Sequence, residues 1–276
     1  MTCLPPLGRR ALAEAVGTGL LVMVVVGSGI AAQRLSAGQT GLQLLENATA
    51  TAAGLVAIIL MVGPVSGAHL NPLVSLGDWW LGRRHRDGGA LAGRDLAAYL
   101  LAQVVGGVAG AMLANLMYDL PAVSWSTTSR SGGHLWLAEV VASAGLVLLV
   151  FALVRSGRSS YVPAAVGAYI GAAYWFTSST SFANPAVTIG RMFTDTFAGI
   201  KPSSVPGFLL AQVAGLLVGV ALVLLFYPRR AIPAAEADAA VLRRADLPPA
   251  YPDLEAGPGG GPRPGLPVPT AQGRPW

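Results

Sequence analysis

A single cysteine, Cys3, in a chain of 276 residues leaves no intramolecular disulfide and no cysteine-built metal cluster. Histidine is scarce too: there are three, at His69, His85 and His134, too dispersed for a metal or catalytic centre. His85 and His134 read as solvated loop residues. Only 11% of the residues are charged, far too few to clothe a soluble domain. The net charge is +5, but no basic amphipathic helix or aromatic–basic platform accompanies it, so nucleic acid is not an expected partner. There is no Gly-x-Ser-x-Gly turn and no His-rich apolar segment. An enzyme, a cofactor and a metal are therefore not expected.

What is present is apolar surface. The chain is 53% hydrophobic and its mean hydropathy is +0.58, the profile of an integral membrane protein whose partner is the lipid bilayer. Six stretches, at 11–32, 44–62, 92–117, 135–154, 161–177 and 205–227, approach the roughly 20 apolar residues that a ~30 Å hydrocarbon core requires. The first is long enough to span and lacks a small-residue cleavage site, so it does not read as a signal peptide. The spacing predicts a short N-terminus over 1–10, a channel domain over 11–227 in two halves (about 11–117 and 135–227), and a disordered Pro/Gly-rich tail over 228–276.

Between spans two and three stands Ala68-His69-Leu70-Asn71-Pro72-Leu73-Val74-Ser75, and between spans five and six Ser181-Phe182-Ala183-Asn184-Pro185-Ala186-Val187-Thr188. Asn is a good N-cap and Pro is harmless in the first turn. Each stretch thus predicts the start of a helix too short to cross a bilayer, an electropositive end with unpaired N–H donors.

The two halves repeat. Ala13-Glu14-Ala15-Val16 recurs as Ala138-Glu139-Val140-Val141, Leu101-Ala102-Gln103-Val104 as Leu210-Ala211-Gln212-Val213, and the first Asn-Pro stretch as the second. With three spans per half, the second copy enters the membrane inverted, and such repeats place the functional site at the midplane. Arginines fix the orientation. Arg9, Arg10, Arg83, Arg84, Arg86, Arg94, Arg155, Arg158, Arg229, Arg230 and the tail arginines fall on one side, against Arg34, Arg130, Arg191 and Lys201 on the other. The crowded side is expected to be cytoplasmic, with both termini inside. Gly106/Gly110, Gly167/Gly171 and Gly215/Gly219 read as close helix contacts. Trp79, Trp80, Trp125, Trp136 and Tyr227 read as interface belts. The sequon Asn47-Ala48-Thr49 is too short a pattern to carry weight.

With these residues in view, the chain resembles the aquaporins of the major intrinsic protein family over roughly 11–227. The resemblance implies an all-α membrane protein, an inverted repeat of six transmembrane helices plus two re-entrant half-helices. It implies a homotetramer with one pore per subunit, in a bacterial inner membrane. It further implies a pore centre at Asn71, Pro72, Leu73, Asn184, Pro185 and Ala186, with the two Asn amides donating to the permeant. Carbonyls of Gly67, Ala68 and His69 would line one half of the pore, and those of Ser181, Phe182 and Ala183 the other. Glu14 and Glu139 would brace the re-entrant loops; no second carboxylate or His joins either of them to form a proton relay.

Two positions depart from the family pattern. Leu73 ends the first box where Ala is usual, expected only to repack the junction. Val187 follows the second box where Arg is usual. Counting back from the boxes gives Thr51, Ala172 and Ser181 as the other constriction positions, so the expected filter is wide and weakly polar, without charge or aromatic. Arg191, one turn beyond Val187, has two readings: a displaced lining of the outer mouth, or, preferred, a side chain that snorkels to the interface or pairs with Asp195. The runs 181–191 and 194–200 are similar to a bacterial branch associated with arsenic resistance. The function expected is a passive channel for water, glycerol-like polyols and neutral metalloid hydroxides such as arsenous acid. A water-selective channel is the alternative. A secondary transporter is a weaker one, since it would need an ion-coupling site at the midplane.

Overall fold

The computed structural model describes residues 5–82 and 91–228. The expectations for Cys3, for Arg83, Arg84, His85 and Arg86, and for the tail from 229 onward fall outside the described residues.

Among the described residues eight α-helices follow one another: α1 (Leu7–Leu35), α2 (Thr40–Ser66), α3 (Pro72–Gly82), α4 (Gly93–Met117), α5 (Gly133–Arg155), α6 (Val162–Phe176), α7 (Pro185–Gly190) and α8 (Val205–Phe226). Five are long and apolar enough to cross a membrane: α1, α2, α4, α5, and α8 with the 3₁₀ turn before it. The sixth expected stretch, 161–177, is α6, which falls short of that length on its own. This helix has 15 residues, about 22 Å at 1.5 Å per residue. A 3₁₀ turn (Ser159–Tyr161) runs directly into it, and Pro163 stands in its first turn, so the helical segment covers 159–176.

Two longer helices, one of at most 11 residues, and another longer helix follow in this order twice. In the first half α1 packs on α2 and α4; in the second α5 packs on α6 and α8. The short helices α3 and α7 lie between the halves: α3 touches α5 and α8 as well as α4, and α7 touches α1 and α4 as well as α8. Close approach of the long helices rests on glycine. A Cβ at Gly106 would lie 2.0 Å from the Ala15 carbonyl oxygen, and one at Gly110 would lie 2.1 Å from that of Gly19. The equivalent α5/α8 crossing is tight at Gly219, where a Cβ would lie 2.8 Å from the Ala144 carbonyl oxygen.

The connection between α4 and α5 runs beside the segment after α7. Ser124 N–H donates to the Phe193 carbonyl at 3.1 Å, Ser126 N–H to Met192 at 2.9 Å, and Lys201 N–H to Thr128 at 2.8 Å. Asn47 of the sequon is buried in α2, its amide donating to the Val25 carbonyl and to Ser28 Oγ, both at 2.9 Å. It is a helix-packing residue, inaccessible to a glycosylating enzyme.

Candidate functional site

Each short helix is preceded by a loop with the same backbone plan. Gly67 (φ 88°), Ala68 (49°) and Leu70 (52°) are left-handed in the first; Thr180 (60°), Ser181 (50°) and Ala183 (45°) occupy equivalent places in the second. Left-handed conformations at side-chain-bearing residues cost of order 1 kcal/mol or more each, and persist only where surroundings over-determine them.

Two buried carboxylates do so. Glu14 accepts hydrogen bonds from Ser66 Oγ (2.7 Å), His69 N–H (2.9 Å), Leu70 N–H (2.7 Å) and Gln103 Nε2 (2.7 Å). Glu139 accepts from Ser179 Oγ (2.6 Å), Phe182 N–H (2.9 Å), Ala183 N–H (2.9 Å) and Gln212 Nε2 (2.7 Å). Each Gln Nε2 also donates to a hydroxyl on the short helix, Ser75 or Thr188. The repeated Leu-Ala-Gln-Val motif pointed at these glutamines, but its sequence assigned them no role.

Asn71 and Asn184 do two things each. Oδ1 caps the helix that follows: Asn71 Oδ1 accepts from Leu73 N–H (2.9 Å), Asn184 Oδ1 from Ala186 and Val187 N–H (3.0 and 3.3 Å). Nδ2 reaches into the opposite half, Asn71 to the Ala183 carbonyl (2.8 Å) and Asn184 to that of Leu70 (2.7 Å). This reciprocal clasp fixes both amides, and leaves each Nδ2 a second hydrogen. Pro72 and Ala186 are buried, and Pro185 opens α7. Leu73 is fully buried in the apolar core and does not line the cavity.

A cavity of about 570 Å³ extends from Asp78 and Pro163 at one end, past Asn71 and Asn184, to Arg191 at the other. Gly67, Ala68 and His69 line one part, Ser181, Phe182 and Ala183 another. The His69 ring lies 3.1 Å from Ser75 Oγ through Nδ1, and edge-on to Tyr99 at 5.4 Å. Of the four expected constriction residues, Thr51, Ser181 and Val187 line the cavity. Ala172 does not: it is exposed on the outside of α6. The cavity face of that helix is Val162, Val166, Ile170 and Tyr174, spaced by four, and residue 172 sits two positions from Tyr174, about 200° around the helix. From this helix Tyr174 lines the cavity, its hydroxyl 3.2 Å from Thr51 Oγ1.

Arg191 also corrects the sequence reading. It neither reaches the surface nor pairs with Asp195, whose carboxylate accepts from Thr127. It is 2% exposed and lines the cavity. Its Nε donates to the Ala198 carbonyl, and its Cζ stands 3.5 Å from the Phe182 ring centroid. This end of the cavity therefore carries a charge and aromatic rings, against the expected bland filter. Arg130, from the α4–α5 connection, flanks the same ring at 5.2 Å and donates to the carbonyls of Gly199 (2.8 Å) and Phe197 (3.2 Å). Burial pushes its guanidinium below the ordinary value, with Tyr174 and Glu139 acting the other way. No local sequence signal marks Tyr174 or Arg130. Among the described residues no group of three or more His, Cys, Asp or Glu could hold a metal ion.

Comparison with known proteins gives the family and the fold. Residues 4–183 match the model of the family described as major intrinsic protein. The chain is 51% identical over 216 residues to aquaglyceroporin AqpS of Rhizobium meliloti (strain 1021), covering 78% of this chain and 89% of that relative. It is 29% identical over 234 residues to the glycerol uptake facilitator protein of Pseudomonas aeruginosa, covering 74% and 80%. Among solved structures, the aquaglyceroporin from Plasmodium falciparum superposes with a TM-score of 0.61 at 21% identity, covering 84% of this chain and all of that one. The chain belongs to the major intrinsic protein family, and is an integral membrane channel and not an enzyme.

Proposed function

We propose that the channel conducts water and small neutral polyols of the glycerol class by passive diffusion, and that neutral metalloid hydroxides such as arsenous acid share the path. The observation that carries this reading is the two-sided lining of the cavity. One side is loop backbone around the two Asn-Pro caps; the other is aliphatic, from residues such as Leu55, Ile59, Val150 and Ile170. A polyol has a hydroxyl edge and a C–H edge, and each meets a matching wall. Arsenous acid offers three hydroxyls and no net charge at neutral pH. The names of the rhizobial aquaglyceroporin and the Pseudomonas glycerol facilitator support the glycerol part of this reading.

In this reading the constriction is formed by Thr51, Tyr174, Ser181 and Val187 with Arg191 beside them, and the free amide hydrogens of Asn71 and Asn184 hold the permeant at the centre. Glu14 and Glu139 are the braces. The channel domain comprises residues 11–227, with both termini cytoplasmic in a bacterial inner membrane, and assembles as a homotetramer.

Val187→Arg tests the reading. The variant places a second guanidinium beside Arg191, and a barrier increase of about 1.4 kcal/mol would slow glycerol about tenfold. Stopped-flow light scattering on proteoliposomes is expected to show fast glycerol and arsenous acid flux in wild type, slowed about tenfold or more in the variant while water flux survives. Fast water with negligible solute flux in wild type would favour the water-selective alternative.

Asn184→Asp tests the centre. The substitution removes the donor to Leu70 and puts a negative charge between two electropositive helix starts. Cation current in planar bilayers is expected where wild type has none. Its absence would refute the electrostatic account of cation exclusion.

A further inference from the structure

The outer end of the cavity holds a charge without a counter-charge. Arg191 is buried, and beyond the bond from Nε to Ala198 its two terminal amino groups make no hydrogen bond to any described residue. No described carboxylate forms an ion pair with Arg191 or with Arg130, the second guanidinium on the Phe182 ring. Glu139 acts on both from longer range, but each of its oxygens already accepts two hydrogen bonds. A second, independent observation concerns the lining of the same cavity. Ser181 Oγ is buried with no partner, its residue is 3% exposed, and it lines the same cavity as Arg191.

An unpaired buried charge is costly unless something neutralises it. A guanidinium clamped on one side and stacked on an aromatic face offers its remaining N–H groups as a flat fork, which matches two oxygens of a carboxylate. A hydroxyl without a partner supplies one more donor.

We propose that Arg191, with Ser181, forms a binding site for small carboxylate-type monoanions, and that an anion held there closes the solute path. The second clause rests on the reading of the cavity as that path. Neutral solutes gain hydrogen bonds at this point but no ionic attraction, so they pass while the anion stays.

The test uses full-length protein and formate at neutral pH. In detergent, carbon-13 line broadening of labelled formate measures binding without any need for conduction. In proteoliposomes, glycerol flux is measured with potassium formate or potassium chloride at equal ionic strength on both sides. Wild type is expected to bind formate saturably and to lose glycerol flux over the same concentration range. Arg191→Gln should weaken binding about tenfold or more, as loss of a charge-assisted pair does, and its glycerol flux should not respond to formate. Should that variant fail to fold, Ser181→Ala decides the matter, with binding about fivefold weaker for one lost hydrogen bond. Absence of binding in wild type, or equal binding in wild type and variant, would overturn the site. Binding without block would overturn the plug. If glycerol fails to flow through any of the proteins, the conduction reading fails, and the detergent titration still decides the site.

Discussion

Glu139→Ala is expected to abolish accumulation of folded protein, and Glu139→Gln to lower its thermal stability steeply. Glu139 is fully buried and is the acceptor for four donors: Ser179 Oγ, the backbone N–H groups of Phe182 and Ala183, and Gln212 Nε2. Alanine leaves all four without their acceptor. At about 1–3 kcal/mol for each unsatisfied buried donor, the loss is comparable to the whole stability of a typical domain, about 5–15 kcal/mol. Glutamine keeps the shape but offers one oxygen, and its own N–H₂ must face either Gln212 Nε2 and Ala183 N–H or Ser179 Oγ and Phe182 N–H. The left-handed residues Thr180, Ser181 and Ala183 lose the contacts that hold them. Fluorescence-detected size exclusion of detergent extracts measures the folded fraction. A monodisperse Glu139→Ala protein with wild-type melting would show that the loop holds itself.

Gly110→Ala is expected to be nearly as damaging, although it adds one carbon atom. The new Cβ would stand 2.1 Å from the Gly19 carbonyl oxygen of α1, and backbone has no rotamer by which to yield. Helices α1 and α4 must separate, and the separation spreads to the contacts of α7 with both. Overpacking of this kind costs about 1–3 kcal/mol where side chains can adjust, and more where they cannot. Gly41→Ala is the matched control. It lies in the first turn of α2 with nothing within 4 Å of the new Cβ, and alanine there should be neutral or stabilising by up to about 1 kcal/mol. The comparison is a melting curve for each protein. Equal shifts would mean that the helix crossing is looser than its geometry.

The central architecture was legible in the sequence because its signals are local and duplicated. An Asn-Pro pair specifies a capped helix start within four residues, whatever lies far away, and a second copy with Glu14/Glu139 and Gln103/Gln212 at matching places identifies the repeat. The constriction was less legible, because its members are selected by packing. On α6 every face is apolar or small, so no polar stripe separates the Val166, Ile170, Tyr174 side from the side of Ala172, and a count from the box landed on the wrong one. Arg191 misled for another reason. Its partners, Phe182 and the Ala198 carbonyl, are placed by the loop before α7 and by the segment that packs along the α4–α5 connection. Nothing in the residues adjoining Arg191 records that arrangement.

The reciprocal clasp has a consequence for biogenesis. The partner of the Asn71 amide is Ala183, 112 positions further along the chain, and the partner of the Leu70 carbonyl is Asn184, 114 positions further. A nascent chain that has inserted only its first four helices therefore carries an open donor and an open acceptor at its centre. The first re-entrant loop acquires its final bonds only when the ribosome has delivered the second. Neither half can finish its centre alone: a chain truncated before Ala183 leaves the Asn71 amide and the Leu70 carbonyl without the groups that fix them.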